Sequence, residues 1–125
     1  MKSRSYDNFY SPPALIVDVN ISNPELKESR NLRGKLDTGS DATVFPEMLA
    51  RDLKLVPASE VAVRGSLDER SNLPTYFVNI EFCGYPFEYV EAVATKYRYD
   101  VLIGRDILNK LKLIANGPKL KFIVG

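Results

Sequence analysis

Alternation of apolar and polar residues divides the chain into short predicted strands. Apolar side chains occupy every second position between residues 15 and 21, and the same period returns over residues 76–82. A period of two puts the apolar side chains on one face of a strand, so both segments are predicted to be half-buried β-strands. Residues 101–103 are apolar at every position, which predicts a strand that is buried on both faces.

Weaker patterns complete a mostly-β prediction. Further strands are expected at residues 32–36, 61–63, 87–94 and 120–124. One short helix is expected from Pro46, with an inward stripe of Met48, Leu49 and Leu53, and a second over 105–113, with Ile107, Leu108 and Leu111 inward.

The predicted organisation is one domain with an arm. Residues 1–13 are polar and end in two prolines, which predicts a flexible N-terminal arm. Residues 14–125 contain no repeat and no linker, and 125 residues suffice for one hydrophobic core. We therefore expect a single mostly-β domain with two short helices.

The charge balance disfavours two classes of partner. Lys and Arg number 17 against 16 Asp and Glu, so the formal net charge is +1. A near-neutral chain has no long-range field that would attract nucleic acid or an anionic membrane. No apolar run reaches transmembrane length, and the N-terminus lacks the apolar core of a signal peptide. We expect no nucleic-acid partner, even though Tyr97-Arg98-Tyr99 offers stacking groups, and no membrane partner.

The residue types that are absent restrict the chemistry. The chain has no histidine, which excludes Ser-His-Asp and Cys-His nucleophile systems and zinc sites built on histidine. The single cysteine, Cys83, forms no internal disulfide, which suits a reducing compartment, and the cytoplasm is the expected location. Hydrolytic chemistry would then depend on carboxylates, Lys, Tyr, or a metal held by oxygen alone.

One stretch carries both a carboxylate and turn-forming residues. Asp37-Thr38-Gly39-Ser40 directly follows the apolar Leu36. Asp and Thr side chains hydrogen-bond local backbone, so the stretch alone is good turn chemistry. About 65 residues later the predicted buried strand runs into Gly104-Arg105-Asp106. The two segments together favour half of an active site over a simple turn.

With these segments the chain resembles the retropepsin-like aspartic proteases, the single-domain relatives of pepsin typified by retroviral proteases. The resemblance spans about residues 15–124. The matching residues are Leu36 with Asp37-Thr38-Gly39-Ser40, then Asp41 and Thr43-Val44, Ile80 to Gly84, and Leu102 with Ile103 to Leu108. It implies a closed, β-barrel-like fold with one or two short helices, active as a two-fold homodimer.

The chemistry of this family explains the need for a dimer. Peptide hydrolysis without a metal needs one carboxylate to activate water and one carboxylic acid to protonate the products. The chain has a single Asp-Thr-Gly, so the second Asp37 must come from another copy. The resemblance thus implies an aspartic endopeptidase that acts on extended polypeptides, with Asp37 catalytic and with no metal or cofactor.

The resemblance also assigns supporting roles. Thr38 would bond across the dimer axis, Gly39 would let the substrate backbone approach, and Ser40 would be placed to donate a hydrogen bond to Asp37. Asp41 and Arg105 match a salt bridge that supports the active-site loop. The substrate cleft would include Leu36, Gly65, Ser66, Leu67 and Ile103.

Three expectations carry alternatives or depend on the dimer. Residues 64–70 take the place of the family's flap but contain one glycine and many charges. A catalytically weak, dimeric peptide-binding module on the same fold is therefore the alternative. Tyr97 and Tyr99 are expected to cover the core or the edge of the cleft. The strand at 120–124 is expected to contribute to the dimer, because its apolar edge needs covering.

Overall fold

The computed structural model describes residues 2–64 and 70–125. Within them the chain forms ten strands and two short helices, as the mostly-β prediction required. The strands are β1 (Ser3–Ser5), β2 (Ile16–Ser22), β3 (Ser29–Leu36), β4 (Val44–Pro46), β5 (Pro57–Arg64), β6 (Arg70–Phe82), β7 (Tyr85–Thr95), β8 (Val101–Ile103), β9 (Leu113–Asn116) and β10 (Lys121–Val124). The helices are α1 (Met48–Asp52) and α2 (Arg105–Leu108).

Six strands close into a barrel. Their order is β2-β3-β8-β4-β7-β6, and β6 pairs with β2 to complete the ring. β5 pairs with the first half of β6, on the same edge that pairs with β2 further along the strand. The β3–β8 and β4–β7 pairs are parallel, whereas the other pairs of the ring are antiparallel. The closed β-barrel-like architecture expected from the sequence is confirmed.

The alternating segments fill the barrel interior. On β2 the side chains of Val17, Val19 and Ile21 are buried, as the period of two predicted. β8 is short, but Val101 and Ile103 are both fully buried. Because β8 lies between β3 and β4, both of its edges are paired. The loop that follows β3, at residues 37–42, therefore passes over the end of a strand that is paired on both edges.

A second, three-stranded sheet has the order β1-β10-β9. β1 lies within the arm predicted for residues 1–13, and the sequence pattern did not predict this strand. Ser3 pairs with Ile123 and Ser5 with Lys121 in antiparallel register. The arm residues thus have strand partners, whereas the flexibility of the arm stays a prediction.

β10 is the middle strand of this sheet, flanked by β1 and by β9 within the same chain. The expected strand at 120–124 is present, but both of its edges are already paired. The expectation that its edge awaits a partner chain is therefore wrong.

The helices are shorter than the sequence predicted. α1 begins at Met48, since Pro46 still belongs to β4. α2 ends at Leu108 instead of residue 113, and Lys112 instead exchanges backbone hydrogen bonds of 2.7 and 2.8 Å with Gly125. Strand pairing with the chain end thus overrides the helical spacing of the leucines.

Two further expectations concern exposed or undescribed residues. Tyr97 and Tyr99 are 80% and 96% exposed, so they do not cover the core. The predicted cleft residues Gly65, Ser66 and Leu67 lie outside the described residues. Among the helices that are described, none is long and apolar enough to cross a membrane.

Candidate active site

Two adjacent parallel strands bring the two chemically suggestive segments together. Leu36 of β3 lies beside Ile103 of β8 in parallel register. Because parallel strands end at the same edge of a sheet, Asp37 and Gly104 emerge side by side. The backbone N–H of Asp37 donates to the carbonyl of Ile103 at 2.9 Å, which extends the pairing by one step.

Asp37 opens a tight turn at this edge. The N–H of Ser40 donates to the carbonyl of Asp37 at 3.2 Å, and the N–H of Gly39 donates to Asp37 Oδ1 at 2.8 Å. The carboxylate is partly exposed, and Oδ2 has no hydrogen-bond partner among residues 2–64 and 70–125. One carboxylate oxygen, Oδ1, therefore fixes the turn, and the other, Oδ2, remains able to accept a hydrogen bond.

Gly104 allows the loop to pass directly over the end of β8. A Cβ atom built at this position would lie 2.5 Å from the carbonyl oxygen of Ala42 and 2.6 Å from its carbonyl carbon. No side chain fits at that distance, so the close approach requires glycine. The loop from Asp37 to Ala42 thus wraps around the strand end and returns as β4 on the other side of β8.

Arg105 holds three points of this loop. Its backbone N–H donates to the carbonyl of Ser40 at 2.8 Å, and its Nη1 donates to the carbonyl of Thr38 at 2.9 Å. Its Nη2 forms an ion pair with Asp41. The Asp41–Arg105 pair expected from the sequence is present, and the same guanidinium also anchors the turn that carries Asp37.

Asp106 has a structural role that the sequence did not reveal. Its two carboxylate oxygens accept hydrogen bonds from the N–H of Thr43 at 3.1 Å and from the Thr43 hydroxyl at 2.8 Å. Thr43 is fully buried, and its hydroxyl oxygen also accepts from the N–H of Gly104 at 3.3 Å. A buried hydroxyl needs such partners. The Thr-Val after the motif and the Asp after Arg105 were the features of the sequence that could have predicted this contact.

Comparison with solved structures shows which fold this chain has. No protein-family model matches the sequence, and no curated protein matches it. The structure, however, resembles that of a retropepsin-like aspartic protease from Rickettsia conorii, with a TM-score of 0.62, 13% identity, and coverage of 98% of this chain and 88% of that one. The chain has the retropepsin-like aspartic protease fold.

Two viral proteins share the retropepsin-like fold with this chain. EIAV protease in complex with the inhibitor HBY-793 gives a TM-score of 0.58 at 20% identity, covering 78% of this chain and 86% of that one. The foamy viral protease-reverse transcriptase bound to an RNA/DNA hybrid gives 0.59 at 22% identity. In that case the match covers 79% of this chain but 12% of the viral chain.

Within this fold the hydroxyl of Ser40 does not bond Asp37. It donates to the carbonyl of Ala42 at 2.7 Å. A hydroxyl has a single hydrogen, so in this arrangement it stabilises the loop and not the carboxylate. The expectation that Ser40 donates to Asp37 is therefore wrong, because the one hydroxyl hydrogen is donated to the carbonyl of Ala42, two residues along the chain.

Some of the other predicted site residues are buried and some are exposed. Leu36 and Ile103 are buried in the barrel beneath the turn, whereas Thr38 and Gly39 are exposed at its tip. The described residues contain no group of three or more acidic, Cys or His side chains that would hold a metal ion. The retropepsin-like fold thus presents the partly exposed carboxylate of Asp37 on a loop that Arg105 and Asp106 of α2 hold in place.

Proposed function

We propose that this chain is an aspartic endopeptidase that acts as a homodimer. The observation that carries the proposal is the position of Asp37. Its carboxylate lies partly exposed on a turn at the end of two parallel strands, and the turn is fixed by hydrogen bonds from Gly39 and Arg105. A retropepsin-like fold with this placement supports peptide hydrolysis.

The proposed reaction uses the Asp37 carboxyls of both subunits. Two carboxyls that share one proton cannot both ionise, so one acts as base and the other as acid. The base takes a proton from water as the water attacks the peptide carbonyl, and the acid protonates the developing oxyanion. The first carboxyl, now protonated, then gives its proton to the leaving amine as the C–N bond breaks, and the second carboxylate takes back a proton from a hydroxyl of the intermediate. The substrate would be an extended polypeptide, as the resemblance implies.

The loop residues keep supporting roles in this proposal. Gly39 would leave room for the substrate backbone, and Thr38, which is exposed at the tip, would bond its counterpart in the partner. Arg105 and Asp41 hold the loop, and the buried Leu36 and Ile103 support it from below. The lone Cys83 makes the cytoplasm the proposed compartment.

We place the dimer contact on β9 and not on β10. β9 pairs with β10 on one edge only, and its other edge has no strand partner among the described residues. Ile114 is 42% exposed and lies opposite the partly buried Ile123 on the outer face. A two-fold axis would join β9 to its copy, and because β9 carries no charge, no like charges would meet.

The proposed activity is tested by Asp37→Asn. General acid–base groups typically contribute about 10²–10⁴-fold to rate, so kcat/KM on a denatured protein or peptide should fall by at least about a hundredfold. The asparagine keeps the shape of the side chain, so the melting temperature should stay close to that of the wild type. A pepstatin-type inhibitor should suppress the wild-type activity.

The matched control is Asp18→Asn, which removes an exposed carboxylate from β2. Activity of this variant should equal that of the wild type. If Asp37→Asn retained a tenth or more of the wild-type activity, Asp37 would not be catalytic. If the wild type bound peptides but cleaved none, the chain would be a binding module.

A further inference from the structure

A groove separate from the candidate active site runs between α1 and residues 95–99. Leu55 and Tyr76 contribute to its lining, and its volume is about 580 Å³. Its two walls are tied together, since the N–H of Glu47 donates to the carbonyl of Thr95 at 2.8 Å. None of its lining residues belongs to the loop at 36–41 or to the start of α2.

Large apolar side chains are exposed around this groove. Met48 and Tyr99 line it and are 58% and 96% exposed. Val56 and Tyr97 are each next in sequence to lining residues and are also exposed. Single exposed apolar side chains are ordinary on a folded protein, but a group that borders one groove indicates a surface that binds something.

The charges of the groove are mainly positive. Arg51 and Lys96 line it, and neither forms an ion pair within residues 2–64 and 70–125. Arg98 is held by Asp100 at 2.6 Å, but its Nε is buried and has no hydrogen-bond partner. Glu47 is the one acidic residue of the lining. The groove thus combines apolar surface with two cations, Arg51 and Lys96, that form no ion pair among the described residues.

The groove is close enough to Asp37 for one polypeptide to reach both. Tyr99 precedes Ile103 by four residues, which span at most about 14 Å of extended chain. The carbonyl of Ile103 accepts the hydrogen bond from the N–H of Asp37. A substrate segment of a few extended residues covers that distance.

We propose that this groove is a second binding site for polypeptide substrates, and that it selects segments in which acidic side chains alternate with apolar ones. The inference rests on the proposed endopeptidase function. The acidic side chains would meet Arg51 and Lys96, and the apolar ones would pack on Met48 and Tyr99. Nucleic acid fits less well, because Arg98 is already paired and the net charge of the chain is only +1.

Binding is measured in the Asp37→Asn background, so that no probe is cleaved. A short fluorescent peptide of alternating Glu and Leu should bind more tightly than the same peptide with Lys in place of Glu, and raised salt should weaken the difference. Combining Arg51→Glu with Lys96→Glu should weaken binding of the acidic peptide about tenfold. Tyr99→Ala should weaken binding of both peptides.

The control combines Lys27→Glu with Arg30→Glu, which makes the same change of charge at two exposed cations outside the groove. This control should change affinity by less than about twofold. Equal affinity for the two peptides would overturn the proposal. So would an equal loss of affinity for the acidic peptide in the control variant and in the variant with Arg51→Glu and Lys96→Glu. Tighter binding of a single-stranded oligonucleotide than of the acidic peptide would overturn it as well and assign the surface to nucleic acid. Because cleavage is not measured, the result is independent of whether the wild type is an endopeptidase.

Discussion

Gly104→Ala tests whether the end of β8 shapes the candidate active site. The added methyl group would lie 2.5 Å from the carbonyl oxygen of Ala42, whereas ordinary contact begins at about 3.4 Å. The atoms must therefore separate by about 0.9 Å. The Ala42 atoms belong to the backbone and the methyl group is fixed directly to it, so no side chain can rotate to make room. The loop that carries Asp37 must move instead.

The size of the effect follows from that displacement. Overpacking of a well-packed site typically costs about 1–3 kcal/mol of unfolding free energy. For a chain of 125 residues, this lowers the melting temperature by about 3–15 °C. A catalytic group displaced by about 1 Å can lose about a hundredfold in rate. We therefore expect kcat/KM to fall much further than a stability loss of this size would explain.

Gly117→Ala provides a matched control. Gly117 lies in the connection between β9 and β10, its φ is not positive, and a Cβ there meets no atom within 4 Å. This variant should melt at or slightly above the wild-type temperature, since alanine reduces the entropy of the unfolded chain. Thermal melts and kcat/KM of both variants check the prediction. Equal values for the two variants would show that contact with Ala42 does not position the loop.

Three further predictions test other parts of the structure. Ser40→Ala should lower the unfolding free energy by about 0.5–1.5 kcal/mol, through the lost bond to Ala42. It should leave the pH profile of kcat/KM unchanged. A shift of that profile towards neutral pH would instead indicate that the Ser40 hydroxyl bonds Asp37. Ile114→Lys should weaken the proposed dimer in sedimentation, whereas Leu120→Lys, at a similarly exposed position, should not. Hydrogen bonds from Thr75 and Ser59 lower the pKa of Glu91, so the ionised carboxylate stabilises the fold. The wild type should therefore melt at a higher temperature than Glu91→Gln at pH 7, and this difference should disappear as the pH falls below 4.5. A difference that does not change with pH would contradict this.

The sequence pattern predicted individual strands well because a strand depends on local alternation, whereas the closed barrel was implied by the family resemblance. Where apolar residues take every second position, as on β2, a strand with one buried face is the stable solution, and neighbouring strands then cover it. The uniformly apolar β8 is likewise found between two other strands. Asp37 and Gly104 were placed correctly because each directly follows such a strand.

The remaining features depend on partners distant in sequence. The leucines before β9 have helical spacing, but the backbone of Lys112 pairs with Gly125, and that pairing ends the helix early. β1 has no apolar period at all and exists because β10 offers it an edge. The Ser40 hydroxyl donates to the carbonyl of Ala42, and residue types alone do not decide which nearby acceptor a hydroxyl uses.

The loop that carries Asp37 is held by three consecutive residues at the start of α2. Gly104 lets the chain pass, Arg105 holds the turn by two carbonyls and Asp41, and Asp106 holds Thr43 where the loop rejoins the sheet. All these contacts lie within a single chain, so the loop is formed without a partner. Dimerisation would then not have to order this loop. The conformational entropy that such ordering loses would therefore not reduce the affinity of the two subunits. In the proposed dimer, the free energy of association comes from β9 and the exposed tip at Thr38, while the geometry of each carboxylate is set by its own subunit.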